Sequence, residues 1–188
     1  MLVEKKERVI LGVDPGTAIM GYGVILEKGT KMELVKMGVV RMEHLDDHFL
    51  KLKCIFDETV KLIETYKPDT LAIEAPFYGK NIQVMLKLGR AQGIAMAAAL
   101  AKDIPVTEYA PRKIKQSITG KGTASKEQVA AMLQRLLGFK EQPEFLDATD
   151  GLAVAVCHSF QRMPTSAGNK KSYSGWEAFA ADNKKRVK

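Results

Sequence analysis

A short apolar run near the start of the chain ends in a carboxylate and a tight turn. Residues 9–13 are mostly β-branched or otherwise apolar, Asp14 follows them, and Pro15-Gly16 then breaks the extended pattern. The pattern predicts a buried strand with Asp14 at its end, where a charge is costly unless a partner neutralises it. A metal ion is a common partner for such a carboxylate. We therefore expect the fold to form around this strand, with other carboxylates converging on Asp14.

The spacing of apolar residues changes along the chain from the period of a strand to that of a helix. Three strand patterns joined by short turns come first, and helical and strand patterns alternate after them. This order predicts an α/β fold with a five-stranded mixed sheet, in which three antiparallel strands precede two parallel ones and helices cover both faces. The predicted strands are residues 9–14, 22–26, 32–42, 70–74 and 104–108, and the predicted helices are about 45–66, 81–102, 111–118, 125–138 and 143–162.

Composition limits the class of protein. A chain of 188 residues suits one domain, expected at residues 1–163, followed by a basic flexible tail at 164–188 that is rich in Ser, Gly, Asn and Lys. A net charge of +7 favours a polyanionic partner such as nucleic acid, with a solvated basic surface as the alternative. The charged N-terminus and the short apolar runs predict a cytoplasmic protein without membrane association. Cys54 and Cys157 lie in apolar helical patterns, which predicts free thiols.

Three further carboxylates are candidates for the same site as Asp14. Glu74 also ends a short apolar strand, and Asp147 and Asp150 are three residues apart on the last predicted helix, which places them on one helix face. Capping or the helix dipole explains one such acid well but explains the pair poorly. Four carboxylates at one site repel each other unless divalent cations neutralise them, and all-oxygen ligands favour Mg²⁺ or Mn²⁺ over zinc. Two such ions suit an in-line displacement at phosphorus.

Five motifs in a fixed order resemble those of the RuvC family, bacterial crossover junction endonucleases with a ribonuclease-H-like fold. The resemblance implies catalytic and metal-binding roles for the four carboxylates. It also implies a homodimer that nicks two strands of like polarity in a four-way DNA junction and works with the RuvA–RuvB branch-migration complex. The matching stretches, which together cover about residues 9–162, are residues 12–17 with 21–24, 72–74, 87–93, 109–115 and 147–153.

Aromatic and basic residues near these motifs are candidates for contacts with DNA. Phe77 and Tyr78 follow Glu74, where an aromatic ring can stack on an unpaired base, although a core aromatic that anchors the loop is the alternative. Lys126 stands in the first turn of a predicted helix, where the dipole disfavours a cation unless a phosphate also binds there. The family's basic positions near the scissile phosphate match Lys115 and Lys126. The complete set of candidates is Phe77, Tyr78, Lys80, Arg112, Lys113, Lys115, Lys121 and Lys126.

A row of small residues marks one face of the predicted helix at 81–102. Gly89, Gly93 and Ala97 recur at a spacing of four, so they lie along one side of the helix. Such a row packs closely either within its own domain or against its copy across a two-fold axis. The family resemblance favours the second interpretation, a homodimer interface.

Three other functions are compatible with parts of the pattern. The stretch from Asp14 to Gly23 resembles the phosphate loop of sugar-kinase or actin-like ATPases, but those proteins need two such domains. A junction-binding module without catalysis would not need all four carboxylates. A related single-domain nuclease that acts on other branched DNA or on RNA is the alternative that sequence separates least well.

Overall fold

The computed structural model describes residues 7–76, 79, 81–139 and 146–162, and within them five strands form one sheet flanked by five helices. The strand order is β3-β2-β1-β4-β5, with β1–β2 and β2–β3 antiparallel and β1–β4 and β4–β5 parallel, as the sequence predicts. The strands are β1 Glu7–Asp14, β2 Ile19–Lys28, β3 Lys31–Arg41, β4 Thr70–Glu74 and β5 Val106–Tyr109, and the helices are α1 His48–Tyr66, α2 Ile82–Leu100, α3 Pro111–Thr119, α4 Lys126–Leu137 and α5 Leu146–Arg162.

The element boundaries differ from the predicted ones by a few residues, for local reasons. Helix α1 begins at His48 rather than near residue 45, because the side chain of Asp47 caps it by accepting a hydrogen bond from the Leu50 N–H at 2.9 Å. Strand β5 begins at Val106 rather than residue 104. Pro105 precedes it, has no N–H to give to the sheet, and contributes only its carbonyl, which accepts from Leu71 N–H at 2.9 Å.

The central strand β1 is buried on both faces because its side chains alternate between two cores. Ile10 packs in the core formed with α3, α4 and α5, whereas Leu11 and Val13 pack in the core formed with α1 and α2. Helices therefore cover both faces of the sheet, as predicted. Cys54 and Cys157 are free thiols. No helix in the described ranges is long and apolar enough to span a membrane.

Helix α5 lies directly on the backbone of β1 and β2 because glycines stand at the points of closest approach. A Cβ atom at Gly21 would lie 2.0 Å from the carbonyl oxygen of Asp147, and one at Gly23 would lie 2.3 Å from Cα of Leu152. On the helix side, a Cβ atom at Gly151 would lie 2.5 Å from Cα of Tyr22. These contacts fix the start of α5 beside the carboxyl end of β1.

Candidate active site

Two of the predicted carboxylates leave the sheet side by side. Val13 of β1 pairs with Ile73 of β4 in parallel register, so Asp14 and Glu74 are the next residues at the carboxyl ends of neighbouring strands. Burial, then the charge of Asp150, raises the pKa of Asp14 to about 6. Burial, then the charge of Asp14, raises the pKa of Glu74 to about 8. The two side chains thus occupy an environment in which additional negative charge is costly.

The other two carboxylates come from the first turns of α5. Asp147 and Asp150 both raise the pKa of Asp14, which places all three acids within electrostatic reach of one another. Burial raises the pKa of Asp150 above its usual range, even though a hydrogen bond from Lys126 opposes that shift. The structure therefore brings together the four carboxylates that the sequence singles out, from three separate elements.

Lys126 reaches these acids from a different helix. Its Nζ atom lies 3.2 Å from Oδ1 of Asp147 and 2.5 Å from Oδ2 of Asp150. Burial alone would lower the pKa of Lys126, but the hydrogen bonds and charges of Asp150 and Asp147 raise it above its usual range. The residue is held at the start of α4 by a capping box between Ser125 and Gln128. The ammonium group therefore partly neutralises the acidic cluster.

A cavity of about 660 Å³ opens over these groups. Its acidic floor is formed by Asp14, Glu74 and Asp150, and its basic walls include Arg112 and Lys115 together with Lys126. A second hollow of about 260 Å³ also reaches Asp14 and Glu74 and extends to Asp147. An extended anionic polymer crossing the carboxylates could contact both hollows while basic side chains neutralise its charge.

The remaining predicted site residues divide into three groups. Lys113 and Lys121 do not line the larger cavity, although their neighbours Arg112 and Gly122 do. Gly89, Gly93 and Ala97 of α2 line neither of the two hollows. Phe77, Tyr78 and Lys80 lie outside the described residues, so their proposed contacts with DNA stay predictions.

Two supporting features were missed by the sequence analysis. The glycines beneath α5 are one. The other is Gln92 of α2, a buried amide whose Nε2 donates to Oε2 of Glu108 at 2.6 Å and to the carbonyl oxygen of Glu74 at 3.3 Å. A buried amide has to satisfy its hydrogen bonds, so Gln92 ties α2 to the end of β4. The one indication of this contact in the sequence is a polar glutamine among the small residues of α2.

The chemistry of the donor set fits a divalent cation, but the side chains are not already arranged around one. Four carboxylates supply hard oxygen ligands and an excess of negative charge, and the pKa values of Asp14, Glu74 and Asp150 are raised. Among the described residues, however, no three His, Cys, Asp or Glu side chains are placed so that they could hold a metal ion without rearrangement. The cation that contacts Asp147 and Asp150 in this arrangement is the Lys126 ammonium.

Comparison with known proteins agrees with this geometry. The family model described as "Crossover junction endodeoxyribonuclease RuvC" matches residues 10–158. Proteins of that name from Bacteroides fragilis and Christiangramia forsetii are 58% identical over 191 residues and 55% identical over 186 residues. They cover 100% and 99% of this chain, and the matches span 100% and 96% of their own lengths.

A solved structure of a RuvC protein is also similar to this chain. Thermus thermophilus RuvC in complex with a Holliday junction substrate superposes with a TM-score of 0.76 at 32% identity, over 82% of this chain and 94% of that one. The ribonuclease-H-like fold expected from the sequence is thereby confirmed. The chain belongs to the RuvC family of crossover junction endodeoxyribonucleases.

Proposed function

We propose that this chain resolves Holliday junctions by hydrolysing one phosphodiester bond per subunit in the larger cavity, with Asp14, Glu74, Asp147 and Asp150 as the catalytic carboxylates. The main support is that these four acids, which come from three distant stretches of the sequence, converge from β1, β4 and α5 beside a cavity with basic walls. A binding module without catalysis would not need this concentration of buried negative charge, which costs folding free energy.

Nucleases of the RuvC family depend on metal ions, and we propose that Mg²⁺, or Mn²⁺ in its place, is held by the four carboxylates, with two ions per site. Held by these carboxylates, such ions would supply an activated water molecule as the nucleophile and positive charge beside the attacking and leaving oxygens. The donor set supports this choice because it contains only carboxylate oxygens. We expect 5′-phosphate and 3′-hydroxyl ends as products.

The basic side chains have two proposed roles. Lys115 and Lys126 line the cavity with the acids, so their ammonium groups can stabilise negative charge that builds up on the phosphate during cleavage. Three further basic residues are proposed to bind phosphates of the DNA backbone other than the one that is cleaved. They are Arg112 on the same wall and Lys113 and Lys121, which are nearby in sequence. Binding through such contacts weakens steeply as the salt concentration rises.

We propose that α2 forms a two-fold homodimer interface through the row that contains Gly89, Gly93 and Ala97. At both glycines, a Cβ atom would find no atom of the described residues within 4 Å beyond the backbone of α2 itself, so neither glycine is needed for close packing among those residues. Exposed apolar side chains continue the same helix, with Ile82 69% exposed and Leu86 51% exposed. An exposed apolar helix face that includes small residues suits close packing of two helices.

Ala97→Glu is expected to convert the proposed dimer into a monomer without unfolding it, because Ala97 is exposed and a glutamate there would be buried against its copy. The dissociation constant, measured by analytical ultracentrifugation, should rise at least about tenfold, which corresponds to about 1.4 kcal/mol. Glu64→Ala, on the exposed face of α1, serves as the control. An unchanged dissociation constant in Ala97→Glu would place the interface elsewhere.

We propose a domain division, a cellular location and a partner for this chain from its family membership. The family model stops at residue 158, which supports a nuclease domain at residues 1–163 with a basic extension at 164–188. We also propose that the protein acts in the cytoplasm and cooperates with a RuvA–RuvB complex.

The test of the proposed substrate is a cleavage assay with a synthetic four-way junction, a three-way fork, a linear duplex and an RNA–DNA hybrid of the same sequence. With Mg²⁺ present, we expect paired nicks at symmetric positions in the four-way junction and at most about 1% of that rate on the linear duplex, a difference of about 2.7 kcal/mol in transition-state stabilisation. Equal cleavage of the fork or the hybrid would favour the alternative of a related nuclease for other branched or RNA-containing substrates.

A further inference from the structure

Lys126 bridges two acids that are proposed to bind metal. Its Nζ atom hydrogen-bonds Asp147 and Asp150 at 3.2 and 2.5 Å, and the Asp150 side chain in that pair is only 15% exposed. Both partners lie more than 20 residues further along the chain, on α5, while Lys126 opens α4. The bridge is thus a tertiary contact and does not arise from neighbouring positions on one helix.

This ammonium group contacts the carboxylate oxygens that a metal ion would need as ligands. The described acids are not arranged to hold an ion as they stand, and the Lys126 ammonium occupies the oxygens of Asp147 and Asp150. A monovalent ammonium group and a divalent cation cannot both sit against the same carboxylate oxygens without strong repulsion. One of them has to move when the other binds.

We propose that Lys126 is the built-in counter-ion of the metal-free site and that a divalent cation binding at Asp147 and Asp150 displaces its ammonium group into the cavity. This inference rests on the proposed function, since it assumes that these acids bind metal. The side chain of Lys126 is 49% exposed and already lines the cavity, so it can leave the acids without unfolding α4. Its displaced ammonium group can then contact a DNA phosphate that enters the cavity.

The contact between Lys126 and the acids has two opposite effects, one on the stability of the folded chain and one on the affinity for metal. Before metal binds, Lys126 reduces the repulsion among the acids and keeps Asp147 and Asp150 aligned, which stabilises the folded chain. At the same time it competes with the cation, so it weakens metal binding. A lysine that only contacted DNA would have neither effect in the absence of DNA.

The experiment measures Mn²⁺ binding to EDTA-stripped protein without DNA, by isothermal titration calorimetry, for wild type and for Lys126→Gln. We expect Lys126→Gln to bind Mn²⁺ about tenfold more tightly, which corresponds to about 1.4 kcal/mol, and to nick the junction more slowly. Lys102→Gln is the matched control, because Lys102 also loses an ion pair, with Glu64 at 2.7 Å, but lies outside the cavity. Its affinity for Mn²⁺ should equal that of the wild type.

Two more variants keep the result interpretable. Lys126→Arg retains the positive charge and should bind Mn²⁺ no more tightly than the wild type. Asp14→Asn should weaken Mn²⁺ binding, and if it does not, the proposed metal site is wrong and this inference fails with it. If Asp14→Asn weakens binding while Lys126→Gln binds Mn²⁺ equally or less tightly than the wild type, only the counter-ion role of Lys126 is overturned.

Discussion

Asp14→Asn is expected to lower the rate of four-way junction nicking by about 10³-fold or more while leaving junction binding within about threefold. The substitution keeps the shape of the side chain but removes a negative charge from the group that interacts electrostatically both with Glu74 and with the acids of α5. The amide is a poor ligand for a divalent cation, so the loss falls on catalysis. Binding depends mainly on basic side chains such as Arg112, which the variant leaves in place.

The control for this prediction is Asp69→Asn. Asp69 also lies beside β1, but at the opposite end, where its carboxylate accepts a hydrogen bond from the Val9 N–H at 2.8 Å. The asparagine can still accept that bond through its amide oxygen. The nicking rate should therefore stay close to that of the wild type, measured under single-turnover conditions with Mg²⁺. Retention of more than about a tenth of the wild-type rate by Asp14→Asn would contradict the catalytic assignment.

The fold could be predicted because its signals are local. The apolar run before Asp14, the similar run before Glu74 and the change from strand to helix period each depend on a few adjacent residues. Parallel pairing of β1 with β4 then follows from the order of elements, since an intervening helix allows a crossover connection. The convergence of Asp14 and Glu74 was therefore accessible from sequence.

The role of Lys126 in the site was not accessible in the same way. Its place in the first turn of a helix predicts a nearby anion, and a phosphate is the natural candidate. The structure instead places its ammonium group against Asp147 and Asp150, which lie 21 and 24 residues further along the chain. No local pattern links α4 to α5 at that distance, so only the tertiary packing identifies the partner.

The glycines beneath α5 show the same limit. Gly23 falls within the strand predicted at residues 22–26 and Gly21 just before it, and in the structure both lie within β2. Nothing in the neighbouring sequence indicates why glycine stands at these two positions. The packing of α5 explains both glycines, because each lies within van der Waals contact of the backbone of that helix. Close packing of helix on sheet is thus what places Asp147 and Asp150 beside Asp14.

Gly23→Ala is expected to destabilise the protein by about 3 kcal/mol and to lower its unfolding temperature by roughly 6–12 °C. The new Cβ atom would lie 2.3 Å from Cα and 2.7 Å from N of Leu152, which are backbone atoms that cannot turn aside. Helix α5 has to move away from the sheet and take Asp147 and Asp150 with it. A displacement of about 1 Å at reacting groups costs about 10²-fold in rate, so nicking should fall even where the variant remains folded.

Gly38→Ala is the matched control for this steric argument. Gly38 lies on the neighbouring strand β3, and its new Cβ atom would meet the hydroxyl and ring of Tyr22 at 2.6 and 2.8 Å. Those atoms belong to the far end of a side chain that can shift, so we expect a loss of less than about 1 kcal/mol and nearly normal nicking. Thermal unfolding and single-turnover cleavage of both variants provide the comparison. Equal stability of Gly23→Ala and Gly38→Ala would mean that α5 tolerates a lift from the sheet, and that the glycine contacts do not position the acids.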